Sequence, residues 1–155
     1  MLFVRALLAF LVLPILFGGL IPWLLRNSDS THGRASVSGL VIGWPFMILG
    51  LAILLLCVWD FYRIGRGTLA PWDPPKKLVV VGLYRFVRNP MYVGVLTWVA
   101  GWSLMSGSWL MGIYAIVLFI MFHLRVLYYE EPTLAKLFPE DWAEYRHRVH
   151  RWLPR

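Results

Sequence analysis

The stretch MYVGVLTWVAGWSLMSGSWLMGIYAIVLFIMFHL, residues 91–124, holds no Lys, Arg, Asp or Glu. A membrane-spanning helix needs about 20 apolar residues at about 1.5 Å of rise each, so the run is too long for one crossing. Ser106-Gly107-Ser108 breaks it with turn residues, and it reads as two helices, at 90–106 and 109–129, joined by a tight hairpin. The same test applied upstream gives two more spans, at about 2–25 and 39–62. The first carries the single charge Arg5, with Pro14 and Pro22 as expected kinks, and Gly39–Trp59 carries none. The expected fold class is all-α: an integral membrane bundle of about four transmembrane helices, forming one domain over residues 1–155.

Hydrophobic residues make up 59% of the chain and charged residues 15%, and the apolar ones fall in long blocks, which excludes an ordinary soluble domain. The N-terminal block is too long for a secretion signal and lacks a small-x-small cleavage site, so it reads as a span. The formal charge of +7 does not point to nucleic acid, because the cations flank the spans and are interleaved with apolar residues, a pattern that suits anionic lipid headgroups. Loop 63–89 carries Arg63, Arg66, Lys76, Lys77, Arg85 and Arg88 against Asp73, and residues 125–155 carry six more cations. The positive-inside rule puts both segments and both termini in the cytoplasm, with 26–38 and 106–108 facing out. Cys57, the one cysteine, lies inside a span and reads as a packing residue. His147 and His150 have no third ligand beside them in sequence, so no metal is expected.

The apolar run is followed by YYEEP, residues 128–132. Proline disfavours a helical residue before it, so Glu131 is an expected helix end, where the helix dipole repels carboxylates. A positive partner is therefore required for Glu130 and Glu131. At the other side of the hairpin, VRNPMYVG (87–94) starts a helix, with Asn89 suited to cap it and Pro90 to its first position. Helical spacing puts Pro90, Gly94 and Gly101 on one face of small side chains, fit for a neighbouring helix or a flat ligand. The prolines of the preceding loop (Pro71, Pro74, Pro75) rule out a helix through it, and its aromatic residues place it at headgroup level, as the mouth of a site or as an interfacial anchor.

The final stretch FPEDWAEYRHRVHRWLPR (138–155) reads as an amphipathic helix over 139–152, with Trp142, Tyr145, Val149 and Trp152 on one face lying on the cytoplasmic surface. The hairpin brings NPMY and EE to the same side of the membrane under this helix. Two carboxylates, several arginines and aromatic rings suit a zwitterionic sulfonium nucleoside such as S-adenosylmethionine: carboxylates for its ammonium, an arginine for its carboxylate, aromatic groups for adenine.

RNPMYVG, then YYEEPTLAKLF about 35 residues later, then W-x-x-Y-x-x-x-V, resembles the superfamily of isoprenylcysteine carboxyl methyltransferases and phospholipid N-methyltransferases. GTLAPWDPPKKLVVVGLYRFVRNP is similar to its bacterial members, which implies a bacterial inner membrane; the likeness covers roughly residues 60–155. It implies a cytosol-facing S-adenosylmethionine site lined by Asn89, Pro90, Tyr92 and Gly94, with Glu130 and Glu131 on the cofactor's charged part and Tyr145 with Arg148 closing the pocket. The lipid or prenylated acceptor would enter sideways from the bilayer. Arg88 or Arg125 would orient a carboxylate acceptor, whereas an amine would give its proton to Glu130 or Glu131. Relatives acting on isoprenylcysteine commonly have His in place of Asn89, while phospholipid N-methyltransferases show Asn-Pro, so both acceptors stay open. Pro139-Glu140 and Trp142 stand where a glycine and a tyrosine are more usual. Two other readings compete: an NADPH-dependent membrane oxidoreductase resembling the sterol reductases, and a scaffold in which Glu130 and Glu131 only pair with Arg88 and Arg125.

Overall fold

The computed structural model describes residues 15–28, 37–60, 63 and 77–154. Most of the first expected span and much of the 63–89 loop lie outside them. In chain order, a π-turn at Leu16–Leu20 leads into α1 (Ile21–Ser28), and α2 runs over Val37–Asp60. A 3-10 turn at Gly82–Arg85 precedes α3 (Pro90–Ser106) and α4 (Trp109–Arg125). A second π-turn, Val126–Glu130, joins α4 to α5 (Glu131–Leu137), and α6 is Pro139–Arg148. The described residues form no strand, only one isolated parallel bridge between Val87 and His150. Among the described residues, two helices are long and apolar enough to cross a membrane, Val37–Asp60 and the continuous Trp109–Leu137. The 17-residue α3 lies between them in sequence.

Glycine places α3. The pairs Gly43/Gly101 and Gly50/Gly94 run in opposite directions along the two chains, so α2 and α3 are antiparallel and in backbone contact. A Cβ on Gly50 would sit 2.6 Å from Trp98 N and 2.7 Å from Gly94 O, and one on Gly43 would sit 2.8 Å from Gly101 O. Only hydrogen fits, as in small-residue contacts between membrane helices. Leu54, Val95, Val99, Leu118 and Phe122 then close a core among α2, α3 and α4. The hairpin turns at Gly107, in the left-handed region at φ 61, and Ser108 caps α4 by accepting from Met111 N at 3.4 Å.

The first π-turn shows how backbone groups freed by a proline are satisfied. Pro22 supplies no N–H to the carbonyl four residues back, Gly18, or five back, Phe17. Those two carbonyls accept from side chains instead, Gly18 O from the Trp98 indole and Phe17 O from the Tyr114 hydroxyl, each at 2.7 Å. Both donors come from α3 and α4, so the proline break also ties this segment to the bundle.

Three sequence expectations are corrected here. The helix does not end at Glu131; it continues to Leu137, because the π-turn closes Glu131 N–H onto Val126 O and leaves Pro132 in the first turn of α5, where its ring is accommodated. Asn89 makes no side-chain cap on α3; its Nδ2 donates to Arg151 O at 3.2 Å. The last helix stops at Arg148, since Val149 is extended (φ −122, ψ 131) and the backbone turns to the Val87–His150 bridge. Trp142, Tyr145 and Val149 are buried against Leu78, Val80, Leu134 and Ala135, so that face of α6 packs on the protein itself.

Candidate active site

The second π-turn builds the site. In an α-helix, charged side chains meet at three- or four-residue spacing, yet Arg125 and Glu130 are five apart. The wide turn closes that gap, and Arg125 Nε lies 2.9 Å from Glu130 Oε1. The Tyr92 hydroxyl, from the first turn of α3, donates to the same oxygen. Arg125 also lies over the Tyr129 ring at 5.7 Å.

Glu131 faces two other cations. Arg151 grips it bidentately, Nε to Oε1 at 2.6 Å and Nη2 to Oε2 at 2.9 Å. Arg88 Nη1 lies 3.1 Å from Oε1, and the side chains of Arg88 and Glu131 are only 9% and 12% exposed. That approach is an ion pair by distance but is not aligned as a hydrogen bond: Arg88 Nε and Nη1 are buried with no hydrogen-bond partner among the described residues. The Arg88 guanidinium sits over the Trp142 ring at 5.5 Å, and burial holds its pKa below the ordinary arginine value, with the Glu131 charge opposing the shift. Its bond to Glu131 pushes Arg151 the other way. Three guanidiniums against two carboxylates leave a net positive cluster with buried donors to spare.

Aromatic rings line one side. Tyr92 stacks on Phe122 at 4.4 Å between centroids, and Trp152 lies 6.5 Å from Tyr92 and 5.2 Å from Phe119. The Trp152 indole donates to His123 Nδ1 at 3.1 Å, which puts the proton of a neutral His123 on Nε2.

The structure thus assembles Arg88, Asn89, Tyr92, Arg125, Glu130 and Glu131. Tyr145 is buried beside them and its hydroxyl donates to Tyr84 O at 2.7 Å; burial raises its pKa. Pro90 is buried at the start of α3. Gly94 is not open to a ligand on its Cα–Hα side, because Ile53, Leu54 and Gly50 O of α2 occupy that direction. Arg148 is not brought in; it pairs with Glu144 one turn away, the two side chains 65% and 68% exposed. Among the described residues no group of three or more potential metal ligands is present. Sequence reasoning missed Arg151, Trp152 and His123 as site residues. His123 carried a signal, being the one titratable ring inside an otherwise apolar, uncharged run apart from two tyrosines. Arg151 was missed because the last helix was expected to run on through 152, whereas it stops at Arg148.

A helical membrane-type bundle with an arginine–carboxylate cluster at the end of a hairpin defines a class, and sequence comparison gives its family. The chain belongs to the phospholipid methyltransferase family, whose profile matches residues 38–141. It is 34% identical over 115 residues to a "Probable protein-S-isoprenylcysteine O-methyltransferase" of Oryza sativa subsp. indica, covering 73% of this chain and 60% of that protein. It is 32% identical over 78 residues to the "Protein-S-isoprenylcysteine O-methyltransferase" of Schizosaccharomyces pombe, covering 50% of this chain and 33% of the relative. An Arabidopsis thaliana "Protein-S-isoprenylcysteine O-methyltransferase B" is 35% identical over 79 residues, 50% of this chain and 40% of the relative. The chain thus spans 60% of the length of the rice relative.

Proposed function

We propose that this chain is a membrane enzyme that methylates a carboxylate on a lipidic or prenylated acceptor, using S-adenosylmethionine. The observation that carries the reading is Arg88: a buried cation with two donors lacking acceptors among the described residues, within a cluster of three guanidiniums and two carboxylates. Ion pairs alone would serve a scaffold equally well. Unused buried donors cost free energy unless something fills them, and a carboxylate matches the guanidinium fork. The names of the relatives, which are isoprenylcysteine O-methyltransferases, support the same acceptor.

The residues present fit such a cofactor. Glu131 and Glu130 would hold its ammonium and face its sulfonium, and the rings of Tyr92, Phe119 and Trp152 would take its adenine. When bound, it supplies an electrophilic methyl group. A carboxylate acceptor is already a nucleophile and needs no general base; it needs a cation to orient it, the role assigned to Arg88. An amine acceptor would need a base, and Glu130 is a poor one, since its Oε1 already accepts from Arg125 and Tyr92. It would also enter, as an ammonium, a site with excess positive charge. Catalysis then rests on alignment and exclusion of water rather than on proton transfer.

Four crossings with the cluster at the cytoplasmic face remain part of this proposal. The flanking cations support that placement, and α3 at about 1.5 Å per residue is about 25 Å long, close to the hydrocarbon thickness when lengthened by its uncharged ends. The test uses methyl-labelled S-adenosylmethionine with S-prenylated cysteine derivatives or phosphatidylethanolamine vesicles. Label in the prenylated product, released by base as methanol, is expected, because an ester hydrolyses and an N-methyl group does not. Base-stable label in the amine lipid would overturn carboxyl transfer, and no label in either would overturn both.

A further inference from the structure

Val149 leaves α6 in an extended conformation, and residues 150–153 beyond it cross the carboxylate cluster. Three consecutive residues fasten this segment. His150 O accepts from Arg88 N at 2.8 Å, and Arg151 O accepts from Asn89 Nδ2 at 3.2 Å. The Arg151 side chain grips Glu131 through two bonds, and the Trp152 indole is tied to His123 on α4. Beyond them Leu153 is 73% exposed. The last helix hydrogen bond runs from Val149 N–H to Tyr145 O, and Val149 is buried with Trp142 and Tyr145, so residues 150–153 beyond it are held by the contacts above and by the packing of Trp152 on the core. The segment also covers both halves of the cluster, Arg151 on Glu131 and Trp152 against Tyr92, whose hydroxyl bonds Glu130.

We propose that residues 150–153 are a strap that lifts as a unit, with Arg151 acting as a tethered cation that occupies Glu131 until a ligand takes its place. A guanidinium bound at both carboxylate oxygens competes with an ammonium for the same atoms. With the strap down, Glu131 is filled and nearly enclosed; with it raised, the carboxylate, the free Arg88 donors and the Tyr92 face open together. Opening is therefore the step that admits ligand, and anything that weakens the fastening raises the open fraction and the rate of entry. The admission of S-adenosylmethionine rests on the methyl-transfer reading above, whereas the opening itself does not.

The test combines hydrogen exchange with binding kinetics on the full chain in detergent or nanodiscs. Trp152→Phe keeps the ring and drops the indole donor; His123→Phe removes the same bond from the other side, should the first variant fold poorly. Loss of one hydrogen bond should raise the open fraction about five-fold, so the Arg88 amide should exchange about five times faster. The Trp142 amide within α6 should not change. The association rate of S-adenosylmethionine should rise by a similar factor, and Arg151→Gln should raise Arg88 exchange further. Equal acceleration at Arg88 and Trp142 would show general loosening and overturn the strap. Faster Arg88 exchange with an unchanged or slower association rate in a protein that binds the cofactor would overturn its gating role. If the wild type binds no S-adenosylmethionine, the methyl-transfer reading fails, and the exchange pattern alone decides whether the strap lifts.

Discussion

Arg125 and Glu130 stand five residues apart on one helix, yet Nε and Oε1 meet at 2.9 Å, and Tyr92 from the next helix donates to that same oxygen. Two donors sharing one acceptor atom cannot contribute independently. Arg125→Ala and Tyr92→Phe should each destabilise the protein, by the roughly 1.5–3 kcal/mol of a hydrogen bond to a charged group, discounted for the partial exposure of the pair. A double-mutant cycle on denaturation should give a coupling of about 0.5 kcal/mol or more. Strict additivity would mean that the two side chains do not share Glu130.

The first π-turn makes a sharper case. Trp98→Phe leaves the Gly18 carbonyl without its donor, and the expected loss is about 1–3 kcal/mol for a buried unsatisfied group. Pro22→Ala returns a backbone N–H four residues after Gly18. In that background Trp98→Phe should cost clearly less. An equal cost in both backgrounds would mean that the indole acts through packing alone.

Much of this architecture was legible in the sequence, and the limits are physical. The hairpin at 106–108 shows because turn residues interrupt an apolar run, and the Pro90 start of α3 shows because proline fits a first position. The demand for cations near Glu130 and Glu131 is also readable, but its cause differs: the helix continues, and the cations answer burial rather than a helix end. What was hidden depends on one-residue changes of register. A π-turn has no reliable signature, so the Arg125–Glu130 pair at a spacing of five was invisible. The stop at Arg148 sends Arg151 and Trp152 to the cluster instead of along the helix face, and Val149 alone does not announce it. The glycines of α3 mark a small-residue face in the sequence, but their partners Gly43 and Gly50 show only in the antiparallel packing of α2 against them.

That contact gives a third prediction. Gly50→Ala puts a methyl group 2.6 Å from Trp98 N, and backbone atoms on both sides leave no flexible side chain to yield. Separation of α2 from α3 should cost about 1–3 kcal/mol, the usual range for overpacking. Gly19→Ala, where a Cβ meets nothing within 4 Å, serves as the control and should be nearly neutral. Equal melting temperatures for the two variants would show that the helices do not approach this closely.

The membrane arrangement is tested at the hairpin. If α3 and α4 both cross, Trp109 lies on the side opposite Arg88, and Trp109→Cys should label with an impermeant thiol reagent from outside intact cells; Trp109 is 63% exposed. Cys57 is buried and should stay silent. Labelling only after the membrane is opened would reverse the orientation.

The last prediction separates a carboxylate-orienting Arg88 from a structural one. Arg88→Lys keeps a positive charge near Glu131 but loses the fork, whose Nε and Nη1 are buried without acceptors among the described residues. A structural role needs mainly the charge, because the cost of removing one partner of a buried pair, roughly 3–5 kcal/mol, comes from leaving the other charge uncompensated. Lysine should therefore restore most of the melting temperature that Arg88→Gln loses. If Arg88 orients the acceptor, lysine should not restore transfer: kcat/KM for the prenylated carboxylate should stay down about tenfold or more, the equivalent of one charge-assisted hydrogen bond. Affinity for S-adenosylmethionine, measured by calorimetry without acceptor, should change far less in Arg88→Lys than kcat/KM does. Recovery of stability and transfer together in the lysine variant would place Arg88 among the structural ion pairs. Loss of cofactor affinity in step with kcat/KM would move its role from the acceptor to the cofactor's carboxylate.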